Sequence, residues 1–371
     1  MILSIDLYKC AMKCSLLMLL ISPLCLIAQK HKTENIVFIS VDGYRWEELF
    51  RGVDTSLSNR RQYRKADSTA LMKKYWAATS QERRKKLMPF FWSTIVEKGQ
   101  LYGNRGLGNK VNVRNNFWFS YPGRAETITG YFDPKINSNS YPDNPNINVF
   151  EFINQQKGYT GKVATFASWD AVVRIVNRNR NKMPLINPYE KVTGPGLTEA
   201  QQLANEIQDF LPKEHGEEER WDMNTYAIAK TYIAAKHPKM VYIDFGDLDV
   251  LAHGGRYDYY LEAARYTDQM IGNLWNMMQQ DPYYKGKTTF VICPDHGRGS
   301  GREWTSHGSS AAGSGNTWLA VIGPDTPATG EIKTGTQIYQ DQFAQTMAHL
   351  LGFEFKAEHP IGERVLSVTQ K

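Results

Sequence analysis

The chain has 371 residues, of which 42% are hydrophobic and 22% are charged. This composition excludes a disordered or fibrous chain and supplies enough apolar material for one large α/β domain or two smaller ones. The net charge of +6 is compatible with an anionic substrate. However, the basic residues are scattered or stand in short runs typical of a solvated helix face, with no interleaved aromatic stripe, which argues against a nucleic-acid partner.

The N-terminal segment has the pattern of a secretory signal peptide. Lys9 and Lys13 precede an apolar stretch at 15–27, and Ala28 is a small residue at a plausible cleavage point. The stretch is shorter than the roughly 20 residues that a membrane span requires. We therefore predict a signal peptide over 1–28, a secreted or periplasmic mature protein, and no stable membrane insertion after cleavage. Lipid attachment at Cys25 is a minor alternative.

The cysteines follow the same division. Cys10, Cys14 and Cys25 all lie in the predicted signal peptide, which leaves Cys293 alone in the mature chain. An intramolecular disulfide is then impossible. Because Cys293 lies inside an apolar run, we expect it to be a small buried hydrophobic residue.

Strands and helices alternate along the remaining sequence. The run NIVFISV at 35–41 predicts a strand buried on both faces, and residues 51–90 read as a polar insertion with helical stretches outside the core. Further on we predict strands at 162–167, 240–245, 288–293 and 317–323, helices at 90–98, 149–156, 198–211, 223–236, 258–279 and 342–351, and a loop at 135–148. This alternation predicts a single α/β domain over 29–371, built on a mostly parallel central sheet covered on both faces.

Acidic residues and histidines follow three of the buried strands. Asp42 comes directly after the first strand, Asp249 and His253 follow the strand at 240–245, and Asp295-His296 follows the strand at 288–293. His307 comes shortly afterwards. Carboxylates and imidazoles at the carboxyl ends of parallel strands predict a metal centre at that edge of the sheet. Asp247 lies in the same loop as Asp249, but the spacing to His253 favours Asp249.

A serine precedes a Pro-Gly turn in the segment SYPGRAETITG at 120–130. If this segment opens a helix, Ser120 lies at its N-terminus, where backbone N–H groups favour an anion, and a nearby metal would make its hydroxyl a nucleophile. A simple helix-capping role for Ser120 is the competing interpretation. Arg124 is a candidate anion clamp and Asn139 a candidate substrate-binding amide, although turn chemistry explains Asn139 equally well.

Taken together, these blocks resemble the alkaline phosphatase superfamily, in particular its phosphodiesterase and phosphomonoesterase branch. They occur in the order of that family, from residue 35 to about residue 325. The resemblance implies an α/β/α sandwich and two Zn²⁺ ions. One ion would be held by Asp42, Ser120, Asp295 and His296, and the other by Asp249, His253 and His307. It also implies attack by Ser120 on a phosphate ester through a phosphoserine intermediate.

The nucleophile segment leaves a second reaction open. Ser120-x-Pro122-x-Arg124 also resembles the sulfatase motif, in which the residue at the position of Ser120 is converted to formylglycine and one Ca²⁺ is bound. Sulfatases typically carry two consecutive aspartates after the first strand, whereas this chain has only Asp42. A secreted binding protein of the same fold is the non-enzymatic alternative. The natural substrate and the oligomeric state stay open at this stage.

Overall fold

A computed structural model describes residues 31–65 and 67–369. The predicted signal peptide and its three cysteines lie outside these residues. From His31 onward the chain forms one compact unit. In the part of the chain that the structure describes, no helix is both long and apolar enough to cross a membrane.

The eleven strands of the described residues form two sheets. In chain order they are β1 Asn35–Val41, β2 Gln100–Tyr102, β3 Lys110–Asn112, β4 Val163–Ala167, β5 Leu185–Ile186, β6 Met240–Phe245, β7 Thr288–Cys293, β8 Asn316–Thr317, β9 Leu319–Ile322, β10 Gly330–Glu331 and β11 Gln337–Tyr339. The main sheet has the order β10-β2-β9-β7-β1-β6-β4-β5, and the small sheet has the order β11-β3-β8. In the main sheet only β9 runs antiparallel to its neighbours, β2 and β7.

The helices of the described residues are α1 Trp46–Arg51, α2 Thr55–Ser58, α3 Ser68–Tyr75, α4 Ser80–Leu87, α5 Val96–Lys98, α6 Ser120–Thr129, α7 Val149–Asn154, α8 Val172–Ile175, α9 Glu199–Phe210, α10 Asp222–Lys236, α11 Asp247–His253, α12 Tyr257–Gln280 and α13 Phe343–Leu350. A π-helical turn, Phe91–Ile95, leads into α5. Short 3₁₀ turns lie at Arg61–Tyr63, Arg105–Leu107, Gly301–Thr305, Gln340–Gln342 and Leu366–Val368.

Alternate residues of β1 enter two separate hydrophobic cores. Val37 and Ile39 pack into a core that includes residues of α10 and α12. Ile36 and Phe38 point the other way, into a core that includes residues of α6, α7 and α13. Because successive side chains of a strand lie on opposite faces, a strand buried on both sides is mostly apolar, as β1 is from Ile36 to Ile39. The predicted α/β/α sandwich with a mostly parallel sheet is confirmed.

Two local predictions were wrong. Residues 51–90 do contribute to the core, because the short helices there bury one apolar side each through Leu57, Leu71, Tyr75 and Leu87. The single strand predicted at 317–323 is two strands in different sheets, β8 and β9. The chain changes sheet at the buried Trp318, whose indole N–H donates to the Tyr44 carbonyl oxygen at 3.0 Å.

The order of the central strands determines where the candidate site residues lie. Strand β1 lies between β6 and β7 and is parallel to both, with Val41 opposite Phe245 and Ser40 opposite Cys293. The carboxyl ends of the three strands therefore meet at one edge of the sheet. In open α/β sheets this edge is where ligands bind.

One buried carboxylate of the helical layer provides a stability test. Asp268, on α12, accepts hydrogen bonds from the backbone N–H groups of Phe90 and Phe91, each at 2.9 Å. Burial nevertheless raises the pKa of Asp268 to about 7. A carboxyl pKa that is raised on folding stabilises the protein at low pH, and this stabilisation is lost as the pH rises through the folded-state value.

We expect the stability difference between the wild type and Asp268→Asn to depend on pH. The free energy of unfolding of the wild type, measured in urea, should exceed that of the variant by about 2 kcal/mol more at pH 5 than at pH 8. The reason is that Asp268 of the wild type loses a proton over this range, whereas the asparagine of the variant does not titrate. The exposed variant Asp209→Asn, on α9, is the matched control. A pH-independent difference for Asp268→Asn would contradict the assignment.

Candidate active site

The first candidate ligand set consists of Asp42, Asp295 and His296, whose potential ligand atoms all lie within 4.8 Å of one another. His296 Nε2 is 3.1 Å from Asp42 Oδ1 and 3.7 Å from Asp295 Oδ2, and all three residues are buried. His296 Nδ1 lies 2.8 Å from the Gly297 carbonyl oxygen, which can only accept, so Nδ1 carries a proton and Nε2 faces the carboxylates. Burial opposes a charged imidazole, but Asp295 and Asp42 outweigh it and raise the pKa of His296 to about 9.

Ser120 is the first residue of α6, and its Oγ lies 3.2 Å from His296 Nε2. Pro122 needs no hydrogen-bond acceptor in the first helical turn, since it has no N–H. Gly123 lets the helix approach the strand end, because a Cβ at this position would lie 2.3 Å from the Asp295 carbonyl oxygen. The buried hydroxyl is therefore held against the first ligand set by a helix that only a Gly at 123 allows to come so close.

The second candidate ligand set is the one predicted from the sequence, Asp249, His253 and His307. In the structure, the ligand atoms of Asp249, His296 and His307 lie within 4.8 Å of one another. Asp249 and His253 are four residues apart on α11, and Asp249 Oδ2 lies 3.0 Å from His253 Nε2. His307 Nε2 lies 2.9 Å from His253 Nε2 and 3.7 Å from Asp249 Oδ1. The rings of His296 and His307 stack at 4.1 Å, so the two sets are contiguous. His253 is half exposed, and this set is the part of the centre that opens to solvent.

Gly43 joins the two sets. Its backbone has a left-handed φ of +57°, and its N–H donates to Asp295 Oδ1 at 3.1 Å. A Cβ at this position would lie 2.7 Å from Asp249 Oδ1. Both the backbone conformation and the space therefore require glycine directly after Asp42.

Arg124 lies beneath the ligands rather than beside an open substrate pocket. Its guanidinium donates to Asp42 Oδ2 at 2.9 Å, to Asp244 Oδ1 at 2.7 Å and to Asp295 Oδ2. Trp169 lies at its face, 5.2 Å from ring centroid to guanidinium carbon. The side chain is 0% exposed. This placement differs from the anion clamp expected from the sequence, because every face of the guanidinium is occupied by protein.

Asn139 does lie beside the candidate nucleophile. Its Oδ1 accepts a hydrogen bond from the backbone N–H of Tyr121 at 2.9 Å, and the residue is exposed. Arg174 donates to the Asn139 carbonyl oxygen at 3.1 Å and steadies the loop. The amide is thus held one residue from Ser120, at the N-terminal end of α6. Substrate binding by Asn139 stays a prediction.

Three further charged residues were not identified from the sequence: two form hydrogen bonds within the site, and the third lies near it. Asp244 is the penultimate residue of β6 and accepts hydrogen bonds from Ser40 Oγ and Arg124. An acidic residue inside an otherwise apolar strand is a sequence pattern that could have identified Asp244 as a site residue. Arg298, two residues after His296, contacts Asp249 Oδ1. Glu219 lies in a loop without a motif, and burial, with the nearby Asp42 and Asp249 carboxylates, raises its pKa to about 9.

Asp247 takes no part in either ligand set. It accepts a hydrogen bond from the Asp222 backbone N–H at 3.1 Å, and burial, followed by the Asp222 carboxylate, raises its pKa well above the usual range. The structure brings Asp249 to the histidines instead, as the spacing in the sequence favours.

The charges around the ligands do not balance within the protein. Four carboxylates lie against two guanidinium groups: Asp42, Asp244, Asp249 and Asp295 against Arg124 and Arg298. Two negative charges remain in excess when the imidazoles are neutral, as they are in metal ligands. A protonated His296 offsets one of these charges in the metal-free protein. Asp42 Oδ1 is also buried without a well-directed hydrogen bond. A buried excess of this kind is the environment that a divalent cation neutralises, so the donors present fit a metal ion.

Comparison with solved structures identifies the fold. The chain is similar to the alkaline phosphatase PafA (TM-score 0.58, 10% identity, covering 92% of this chain and 99% of that one). It is also similar to the phosphonate monoester hydrolase of Agrobacterium radiobacter (TM-score 0.55, 13% identity, 90% and 77% covered) and to a 2-O GAG sulfatase (TM-score 0.54, 14% identity, 88% and 72% covered). No protein-family model and no curated protein matches the sequence.

These structures share the alkaline phosphatase-like fold, and the chain described here has that fold. The fold inferred from the strand-end aspartates, the histidines and Ser120 is therefore confirmed. The identities are far too low for the comparisons to decide between phosphate and sulfate esters.

We expect Arg124→Met to destabilise the metal-free protein by about 3–5 kcal/mol, because it leaves Asp42, Asp244 and Asp295 buried without their shared cation. Urea unfolding in the presence of a chelator measures this loss. Arg174→Met is the control, since Arg174 is one-third exposed. A loss below 1 kcal/mol for Arg124→Met would contradict its supporting role.

Proposed function

We propose that this protein is an exported, metal-dependent hydrolase of phosphate esters with Ser120 as its nucleophile. The observation that carries the proposal is the position of Ser120 Oγ, 3.2 Å from His296 Nε2, at the first residue of a buried helix and against the first ligand set. A serine with only a capping role would not need to lie in a cluster of carboxylates and imidazoles. The similarity to phosphatases, phosphonate hydrolases and sulfatases supports hydrolysis of anionic esters.

The residues of the first set, Asp42, Asp295 and His296 together with Ser120, would hold one divalent ion. Mixed oxygen and nitrogen donors suit Zn²⁺. A bound ion would supply Lewis-acid chemistry, lowering the pKa of the serine hydroxyl and stabilising charge on the ester oxygens. The second set, Asp249, His253 and His307, has the donors for another ion. We propose that the pair of sets defines the reaction centre.

The residues of the chain itself position the reaction. Helix α6 presents Ser120 Oγ at its N-terminal end, where the helix dipole favours an anionic ester. Ser120 loses its hydroxyl proton and its Oγ forms a bond to phosphorus as the P–O bond to the leaving group breaks, and the leaving oxygen takes up a proton. Water then adds to phosphorus and breaks the P–Oγ bond, which returns the serine and releases the phosphate. Asn139, held beside Tyr121, supplies an amide within reach of the ester oxygens. Arg124 keeps the carboxylates of the first set in place from below.

Sulfate ester hydrolysis is the second candidate. It is favoured by the Ser120-x-Pro122-x-Arg124 motif and by the sulfatases among the similar structures. Formylglycine at position 120 and a single Ca²⁺ would then replace the serine nucleophile and the Zn²⁺. The histidine-rich second set, which a hard oxygen-seeking cation such as Ca²⁺ would not use, favours phosphate esters.

Export is part of the proposal. The signal-peptide pattern at 1–28 supports a secreted or periplasmic protein, and N-terminal sequencing of the mature protein would test cleavage near Ala28.

The reaction is tested with p-nitrophenyl phosphate, bis-p-nitrophenyl phosphate and p-nitrophenyl sulfate. We expect release of p-nitrophenol from one of the phosphate esters, and a fall in kcat of at least about 10³-fold in Ser120→Ala, since the bond-forming atom is removed. Ser140→Ala, in the exposed loop beside Asn139, is the matched control.

Three outcomes would count against the phosphate proposal. Turnover of the sulfate ester alone, with mass spectrometry showing the loss of two hydrogen atoms at Ser120, would establish the sulfatase. If the metal-loaded protein hydrolyses none of the three esters, the result would favour a binding protein of the same fold without catalytic activity. Full phosphatase activity in Ser120→Ala would remove the serine from the mechanism.

A further inference from the structure

Arg298 is a fixed cation inside the second ligand set. The residue is 1% exposed and follows the run Asp295-His296-Gly297 directly. Its Nη1 donates to Asp249 Oδ1, and its Nη2 lies 3.4 Å from His253 Nδ1. The guanidinium therefore touches two of the three residues that would hold a second metal ion.

The guanidinium cannot easily move away. Its Nε donates to the Trp304 carbonyl oxygen at 2.8 Å, and its Nη2 donates to the Thr305 carbonyl oxygen at 2.7 Å. The backbone on both sides is held closely as well. A Cβ at Gly297 would lie 2.2 Å from the Asn316 carbonyl oxygen, and one at Gly299 would lie 2.6 Å from the carbonyl oxygen of Glu303. Arg298 is thus anchored at its tip and at its base.

The two arginines of the site bind different sides of their carboxylates. Arg124 takes Oδ2 of Asp42 and leaves Oδ1 facing His296 Nε2 at 3.1 Å, so the first set keeps an inward-facing oxygen. Arg298 takes Oδ1 of Asp249, the oxygen that lies 3.7 Å from His307 Nε2 and 4.0 Å from His296 Nε2. In the second set, the arginine occupies the Asp249 oxygen nearer His307 and His296 and leaves Oδ2 facing the half-exposed His253, at 3.0 Å from its Nε2.

The net charge of the carboxylates and guanidinium groups also argues against a second tightly bound cation. With both arginines in place, the four carboxylates carry an excess of two negative charges, which one divalent cation neutralises. A second divalent cation would leave an excess of two positive charges before substrate enters. At separations of a few ångströms such repulsion weakens binding strongly, even at the effective dielectric constant of a protein interior.

We propose that Arg298 is a built-in competitor of the second metal ion, so that the resting protein binds one divalent cation tightly in the first set and another only weakly in the second. The proposal rests on the proposed function, in that it takes the first set as a metal site. It specifies the metal content of that site: one tight ion, with Arg298 supplying positive charge where a second tight ion would otherwise lie.

The test is a Zn²⁺ titration of the metal-free mature protein in competition with a chromophoric chelator, without substrate. The wild type is expected to show one tight step and a second step at least about 100-fold weaker, because the guanidinium must be outcompeted. Arg298→Gln should tighten the second step by at least about tenfold, since the competing charge is gone. Arg298→Lys, which keeps a charge, should leave the second step weak.

Further variants assign the steps and isolate the cause. His307→Ala should abolish the second step and leave the first, whereas Asp42→Asn should weaken the first. Arg302→Gln is the matched control, because Arg302 is an exposed arginine of the same loop. Two equally tight steps in the wild type, or a second step that Arg298→Gln weakens, would overturn the role of Arg298. Absence of any tight step would instead count against the metal site of the proposed function.

Discussion

Repulsion among buried carboxylates is the constraint on which the rest of this structure depends. Asp42, Asp244 and Asp295 converge at the carboxyl ends of β1, β6 and β7, and Asp249 joins them from α11. Charged groups without partners are very costly in the protein interior, so each must face a cation. Arg124 supplies one from below and Arg298 another from the side. The remaining negative charge lies where we propose that a metal ion binds.

The surrounding architecture keeps these charges together. Strand β1 lies between two parallel partners, so that three chain segments distant in sequence end within a few ångströms of one another. Helix α6 then packs across this edge, and Gly123 allows its backbone to touch the strand end. Gly43 likewise allows close approach of the chain after β1 to Asp249, because a side chain at position 43 would displace the Asp249 carboxylate. The two glycines are thus as necessary to the geometry as the ligands are.

The centre is asymmetric in both exposure and charge. Its first set is fully buried and lies against the candidate nucleophile, while its second set reaches solvent through His253. The position of Arg298 in the second set means that the two sets need not play equal parts, although the sequence lists donors for both.

Much of this protein follows from its sequence alone. Local sequence patterns can be recognised without knowledge of the fold. Here the pattern is a series of apolar strands followed by acidic residues and histidines: Asp42, Asp249, His253, Asp295, His296 and His307. Together with the family resemblance, these patterns predicted the α/β/α architecture, which is confirmed, and a set of candidate ligands that lie close together in the structure. Only the tertiary structure decided the roles of the arginines and the buried Asp244, because a charged side chain takes its function from partners far away in the chain. Arg124 reads as an anion clamp until three carboxylates surround it, and Arg298 reads as a loop residue until Asp249 lies against it.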